Sequence, residues 1–306
     1  MRAAFFGTSE FAVPTLERLA ASRHSVVLCV TQPDRPQGRG LKPEPSPVKQ
    51  AAVRLGIPLA QPERLTIQAL SGHAADIGVL ASYGQIVRRE VLEAFPRGMV
   101  GVHPSLLPKY RGAAPIAWAL LNGETRTGLT IFQMNERLDA GEILLQEPVD
   151  AEPREDAAAL TARLAALGGE LAVRALDEAE RGSLRPAAQD EARAGYAPKL
   201  TKAQGQIDWA ASAAVIERQV RALTPWPGAV TLWRGEPLKI VRATAAAATA
   251  GTLPGALIQA GPDTLVVATG EGAVAISDVQ PAGRRKQTVR EFLTGRKMQA
   301  GDRFDA

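Results

Sequence analysis

The chain has 306 residues, 45% of them hydrophobic and 22% charged, with a formal net charge of +4, an ordinary globular balance on a chain longer than one core, so two domains are expected. No apolar run approaches the ~20 residues of a membrane helix, and Met1 leads straight into a strand-like run, so neither a membrane span nor an export leader is expected. The single cysteine, Cys29, lies in the apolar run 26–30, which excludes an intrachain disulfide, reads as a small buried residue rather than a nucleophile, and suits a cytoplasmic protein.

From the N-terminus, short apolar runs at 2–6, 26–30, 77–81, 99–102 and 129–134 alternate with amphipathic segments such as 11–21 and 113–122. That alternation predicts βαβ units and a parallel sheet. The turn Gly7-Thr8-Ser9-Glu10 closes the first strand, and Thr8 or Ser9 is expected to cap the next helix. It lacks G-x-G-x-x-G, so no dinucleotide site is expected there. After the second strand comes TQPDRPQGRG at 31–40, too rich in proline and glycine for helix or sheet. Arg35, Arg39, Lys42 and Lys49 are expected to be exposed on this loop, which can fold over a polyanionic substrate.

Residues 156–181 form the clearest helix pattern, with Leu160, Leu164, Leu167 and Leu171 along one face. The chain turns polar and irregular near 182, and the expected division is a first domain at 1–188, a linker at 189–206 and a second domain at 207–306. One more helix, 213–222, precedes five short strand-like runs at 230–233, 238–241, 256–258, 264–268 and 273–279, the pattern of a small OB-like barrel. Trp209, Trp226 and Trp233 are candidates for base stacking, but core packing is the commoner fate of tryptophan beside strands. Residues 281–306 carry seven basic against three acidic residues, including Arg284, Arg285 and Lys286. Such a patch is either a solvated surface or a seat for a phosphate backbone.

His103 is one of three histidines, and the prolines and glycines around it describe a shaped loop at a strand end. Asp139 falls in the turn after the run 129–134, so both are expected where parallel sheets collect ligands. Were Asp139 to reach His103, its carboxylate would favour the imidazolium and orient the ring to donate to a developing oxyanion. A turn aspartate before Gly141 is the alternative.

Seven motifs in order, TQPDRPQGRG at 31–40, PSPVK at 45–49, HPSLLPKYRGAAP at 103–115, LDAG at 138–141, KLTK at 199–202, IDW at 207–209 and PWP at 225–227, give the chain a resemblance to the methionyl-tRNA formyltransferase family over essentially its whole length. The resemblance implies a Rossmann-like catalytic domain followed by an OB-like barrel. It implies formyl transfer from 10-formyltetrahydrofolate to the α-amine of methionyl initiator tRNA, without a metal. By the same resemblance His103 stabilises the oxyanion, Asp139 orients His103 and relays protons, and Ser105, Leu106, Leu107 and Pro108 hold the folate, with Tyr83 and Gly84 walling its pterin. Arg39 is implied to reach the acceptor stem, with Arg35 and Lys42 beside it, and Arg284, Arg285 and Lys286 to hold stem phosphates. Nothing calls for a second copy, so a monomer is expected.

One position departs from the family pattern: Gly101 stands where the family has the asparagine of Asn-x-His. Losing one oxyanion donor costs ~10²- to 10³-fold in turnover, so either a water or another side chain replaces the amide or the enzyme is slow, and Gly101→Asn is expected to raise the rate. The alternatives to the family reading are a formyltransferase acting on a small amine such as an amino-sugar nucleotide, a folate-deformylating hydrolase, and an RNA-binding relative without efficient turnover. The basic barrel and the Arg39 loop speak against the small-amine enzyme, and only Gly101 favours the RNA-binding relative.

Overall fold

The computed structural model describes residues 1–37, 42–247, 251–294 and 296–305, with backbone alone at Gln37 and Lys42. The chain divides into a unit of residues 1–115, 126–150 and 161–197 and a unit of residues 116–125, 151–160 and 198–306.

In the first unit, β1 (Arg2–Gly7), α1 (Val13–Ala20) and β2 (Ser25–Val30) form the opening βαβ element. They are followed by β3 (Arg35–Gln37), β4 (Lys42–Glu44), α2 (Pro47–Arg54), β5 (Leu59–Ala60), β6 (Ile77–Ala81), α3 (Arg89–Leu92), β7 (Met99–His103) and β8 (Arg111–Gly112). After α4 (Pro115–Leu121), which falls in the second unit from Ile116 on, come β9 (Arg126–Gln133), β10 (Ile143–Asp150), α5 (Ala157–Arg181), in the first unit from Thr161 on, and β11 (Tyr196–Ala197). The main sheet has the order β10-β9-β7-β6-β1-β2-β5. Its pairs are parallel from β7 to β5, and β1 is buried from Ala3 to Gly7, as a strand covered on both faces requires.

Two expectations change at the other edge. β9 runs antiparallel to β7, and β10 antiparallel to β9, because the chain re-enters the sheet at the end where β7 finishes, with Thr130 opposite His103. The strand before Asp139 therefore ends opposite the start of β7, Gln133 beside Val100, and does not itself carry Asp139 toward His103.

One face of the sheet packs Ala4, Phe6, Leu28, Val30, Tyr83, Phe95 and Met99 into a core. Helix α5 buries Leu160, Leu164 and Leu171, while Leu167 is half-buried, as the 3.6-residue period allows. The expected capping by Thr8 or Ser9 is not what these hydroxyls do. Thr8 Oγ1 donates to Tyr83 O at 2.8 Å and Ser9 Oγ to Ser82 Oγ at 2.7 Å, tying the ends of β1 and β6 together. The loop after β2 is also more regular than its composition predicts, since β3 and β4 pair as a two-stranded ribbon with Pro36 opposite Pro43. Both strands of such a ribbon are edges, where proline is tolerated.

The segment expected to be a linker is attached to the first unit as far as Ala197. Ala187 bridges Ile143, and β11 pairs with β8, Tyr196 opposite Arg111.

The second unit holds α6 (Ala213–Leu223) and the antiparallel strands β12 (Ala229–Trp233), β13 (Glu236–Ala246), β14 (Leu257–Ala260), β15 (Leu265–Ala268) and β16 (Ala273–Pro281), with β17 (Gln287–Thr288) and α7 (Val289–Leu293). Their order is β12-β13-β16-β15-β14, with β17 beside β16. Leu232 bridges Asp305 and Ala256 bridges Arg303, so residues 303–305 span the two edge strands in the manner of an OB-like barrel. β13 outruns its expected length because bulges at Arg242 let it turn and continue through an alanine run that has no strand propensity of its own. Trp209 is core: it stacks on Phe304 at 5.4 Å and donates from Nε1 to Thr231 Oγ1 at 3.0 Å. Trp226, in contrast, is 52% exposed. Among the described residues no helix is long and apolar enough to cross a membrane.

Candidate active site

Strand alternation puts Met99, Gly101 and His103 on one face of β7. His103 is the last residue of that strand and is 6% exposed. Its Nε2 lies 2.8 Å from Tyr110 O, and a carbonyl can only accept, so the proton of this bond sits on Nε2. That bond fixes the ring and turns Nδ1 toward Asp139 Oδ2, 3.6 Å away. The separation is too long for a direct hydrogen bond. Tyr110, rather than Asp139, is thus the residue that orients His103.

Asp139 is carried by the loop 134–142, which doubles back after β9, and it has φ of +48°. A left-handed non-glycine residue costs about 1–2 kcal/mol, so its surroundings must hold it. Its Oδ2 accepts Gly112 N–H at 2.8 Å, and its carbonyl accepts from Gln189 Nε2 at 2.8 Å. The same amide donates to Gly141 O at 2.7 Å. Gly141 must be glycine, since a Cβ there would lie 2.8 Å from the Gln133 carbonyl carbon and closer still to its oxygen.

Behind Gln189 stands Arg111, 1% exposed, whose Nε and Nη2 donate to Gln189 Oε1 at 3.1 and 2.8 Å. Its Nη1 and Nη2 also grip both oxygens of Glu191 at 3.1 Å, a bidentate pair that holds the Glu191 carboxyl below its ordinary range. Sequence reasoning missed Tyr110, Gly112 and Gln189. Arg111 and Gly112 stood inside the 103–115 motif, whereas Gln189 sits in a polar stretch with no local signal.

Gly101 faces Phe132 across the β7–β9 pair. A Cβ on Gly101 would lie 2.6 Å from Phe132 Cζ, so the aromatic ring fills the room a side chain would take. The same ring meets His103 edge to face at 6.4 Å.

The residues assigned to folate divide into two groups. Ser105 and Leu107 are buried: Ser105 Oγ donates to Lys109 O at 2.6 Å, and Leu107 N–H donates to Thr130 Oγ1 at 3.2 Å. Leu106 and Pro108 are half-buried and keep apolar surface. Tyr83 is likewise core, its ring edge-on to Phe6 and its phenol pushed up to about 12 by burial. Gly84, with φ of +84°, leaves space that a Cβ would fill against Gln32 Nε2. Leu106, Pro108 and the Gly84 backbone thus keep accessible surface, whereas Ser105, Leu107 and Tyr83 are buried beneath it.

The cations are more engaged than expected. Arg35 pairs with Glu63 at 3.1 Å, and Lys49, expected exposed, is half-buried against Asp34 at 2.6 Å. Arg39 and the Lys42 side chain lie outside the described residues. Arg285 pairs with Glu291 at 2.8 Å and Lys286 with Asp278 at 3.7 Å, while Arg284 has no carboxylate partner among the described residues. Cys29 is fully buried. His24, Asp177 and Glu180 come close enough to share an ion, but Arg23 already bridges both carboxylates at 2.6 and 2.7 Å.

A mostly parallel, Rossmann-like sheet with a His–Asp pair beside its edge strands, followed by an OB-like antiparallel unit, defines the class as a two-unit formyltransferase. Residues 1–176 match the family model described as formyl transferase, and residues 199–297 the model described as formyl transferase, C-terminal domain. The methionyl-tRNA formyltransferase of Solibacter usitatus is 44% identical over 99% of this chain and 98% of its own. That of Roseiflexus sp. is 46% identical over 99% of this chain and 95% of its own. The chain belongs to the methionyl-tRNA formyltransferase family. Among solved structures, the sugar 3N-formyltransferase WlaRD has a TM-score of 0.70 at 17% identity, over 93% of this chain and 99% of its own. HypX from Aquifex aeolicus, in complex with tetrahydrofolic acid, has 0.66 at 19% identity, over 96% of this chain and 47% of its own. These two likenesses concern the fold.

Proposed function

We propose that the protein transfers a formyl group from 10-formyltetrahydrofolate to the α-amine of methionyl initiator tRNA, as a cytoplasmic monomer. The observation that carries this reading is the gap between His103 Nδ1 and Asp139 Oδ2, 3.6 Å wide and rigidly framed, in a chain that matches methionyl-tRNA formyltransferases from end to end. In this reading residues 1–188 carry the chemistry, 189–206 connect, and 207–306 hold the tRNA. The folate supplies an activated formyl carbon when bound; the HypX structure with tetrahydrofolic acid and the WlaRD structure with 5-N-formyl-THF support the choice of donor class.

The side chains divide the work by what each can hold. His103, its Nε2 held on Tyr110 O, faces the Asp139 side with Nδ1, which, when it carries a proton, donates to the formyl oxygen, where negative charge develops during attack. Asp139 Oδ2 accepts the proton that the attacking amine loses and returns it to the folate nitrogen as the formyl C–N bond breaks, while the Gly112 N–H keeps that oxygen in place. Leu106 and Pro108 give the flat donor an apolar bed, and the Gly84 backbone lets it approach closely. With Gly101 in place of an asparagine, position 101 gives His103 no side-chain amide, so turnover is expected to be ~10²- to 10³-fold below that of a relative with both donors.

Formyl transfer to charged initiator tRNA, measured for the wild type and His103→Ala, tests the reading. The variant is expected to lose ~10²- to 10⁴-fold in kcat, the usual worth of a placed acid or base. Equal rates would defeat the assignment, and formylation of a free amino-sugar nucleotide in preference to the tRNA would favour the small-amine alternative.

A further inference from the structure

Asp139 lies 3.6 Å from His103 although β9, the strand before it, ends at the opposite end of β7. Its left-handed backbone lies between two carbonyls, its own and that of Gly141, and one side-chain amide takes both. Gln189 Nε2 donates to Asp139 O at 2.8 Å and to Gly141 O at 2.7 Å. The orientation of that amide is not free. Its Oε1 faces the donor-only guanidinium of Arg111 at 3.1 and 2.8 Å, so a flipped amide would set NH₂ against a cation and oxygen against two carbonyls. Arg111 is in turn fixed by Glu191, and the backbone of this segment is stitched to β8, with Arg111 N–H donating to Gly195 O at 2.8 Å and Ala113 N–H to Ala197 O at 2.9 Å. The same β8 presents the Gly112 N–H that holds the Asp139 carboxylate. The backbone of Asp139 is thus clamped from the strap 189–197 and its carboxylate from β8, to which that strap is paired.

We propose that Gln189 is a positioning residue for formyl transfer: held by Arg111, it clasps the Asp139 loop and so sets the spacing of Asp139 from His103. The proposal rests on the catalytic reading of Asp139. It makes a stretch whose composition reads as a connector part of the active site, although no atom of Gln189 needs to touch a substrate.

Two substitutions separate positioning from folding. Gln189→Glu keeps the size and the bond to Arg111 but turns an oxygen on both carbonyls. Gln189→Met keeps the length with no donor and leaves Arg111 its bidentate partner Glu191. Full-length variants are assayed with methionyl initiator tRNA and 10-formyltetrahydrofolate, and their unfolding midpoints are measured in parallel. A ~10- to 100-fold fall in kcat is expected in at least one variant with an unchanged midpoint, because an ångström of misplacement can cost that much. KM for the tRNA should stay within about twofold, since substrate contacts are untouched. In an Asp139→Asn background, Gln189→Glu should change kcat less than about twofold, because both substitutions act through one group. Wild-type kcat in both variants overturns the proposal, as does a fall that merely tracks lost folded protein, or a full-sized effect in the Asp139→Asn background. If Asp139→Asn alone is as active as the wild type, the catalytic reading of Asp139 fails first, and this proposal falls with it.

Discussion

The ring of Phe132 occupies the place into which a side chain at position 101 would project, 2.6 Å from its Cζ to a Cβ built on Gly101. The two residues are directly paired across β7 and β9, two positions before the end of the strand that carries His103. A glycine at 101 thus leaves room for the large ring at 132.

This relationship revises the expectation that Gly101→Asn raises the rate. Alone, the substitution forces an amide into an aromatic ring, and overpacking of this kind costs about 1–3 kcal/mol. Gly101→Asn should lower the denaturant midpoint and leave formylation at or below the wild-type rate. Gly101→Asn with Phe132→Ala opens the space and should exceed the single variant by at least about tenfold, toward the full worth of an oxyanion donor. Steady-state rates of the four proteins in this cycle decide it; a single variant faster than the wild type would show that the ring yields.

Gly141 provides a second check on the loop. Its Cα faces the Gln133 carbonyl so closely that any Cβ collides with backbone, which cannot rotate away. Gly141→Ala should destabilise by about 1–3 kcal/mol and reduce kcat by more than tenfold, because the Asp139 carbonyl and Gly141 carbonyl share one donor, Gln189. Chemical denaturation and formylation kinetics measure the two effects, and a fully active Gly141→Ala would mean that the loop tolerates displacement.

Much of this arrangement was legible in the sequence where chemistry is local. The apolar runs placed β1, β2, β6 and β7 to within a residue or two, since strands covered on both faces read as continuous hydrophobic stretches. His103 and Asp139 were named from their motifs, and the structure brings them within 3.6 Å. What could not be read was set by distant pairing. The direction of β9 depends on where the chain re-enters the sheet, and the role of Gln189 depends on a fold that carries it back 50 positions to Asp139. The charges of Arg285 and Lys286 were visible, but their partners Glu291 and Asp278 become neighbours only through β16, β17 and α7.

Burial of two acidic groups predicts an alkaline weakness. The Cys29 thiol is pushed up to about 12 from 9.0 and the Tyr83 phenol to about 12 from 10.0, in both cases by loss of water. The unfolded chain therefore gives up these protons first. Stability is full below about pH 9 and falls as pH rises toward 12, by up to about 1.4 kcal/mol per pH unit for each group in its window. Between pH 9 and 10 the thiol contributes more than the phenol, because its unfolded value of 9.0 lies lower, so Cys29→Ala should flatten the decline there relative to the wild type. Urea unfolding at pH 8, 9 and 10 reads the slopes; parallel slopes would show that the thiol does not titrate on unfolding.

The barrel cations should differ in what they give to RNA. Arg285 must leave Glu291, at 2.8 Å, before it can reach a phosphate, and Lys286 is drawn to Asp278 at 3.7 Å. Arg284 has no such competitor among the described residues. A cation that meets a phosphate releases a counterion, so removing one contact lowers the slope of log K against log salt by about 1. Arg284→Ala should show that reduction in initiator tRNA binding, titrated from low to physiological salt. Arg285→Ala should change the slope by less than about half as much, because its charge is already spent on a carboxylate. Equal slopes for wild type and Arg284→Ala would remove Arg284 from the tRNA surface, and a larger effect at Arg285 would mean that the Glu291 pair opens when RNA binds.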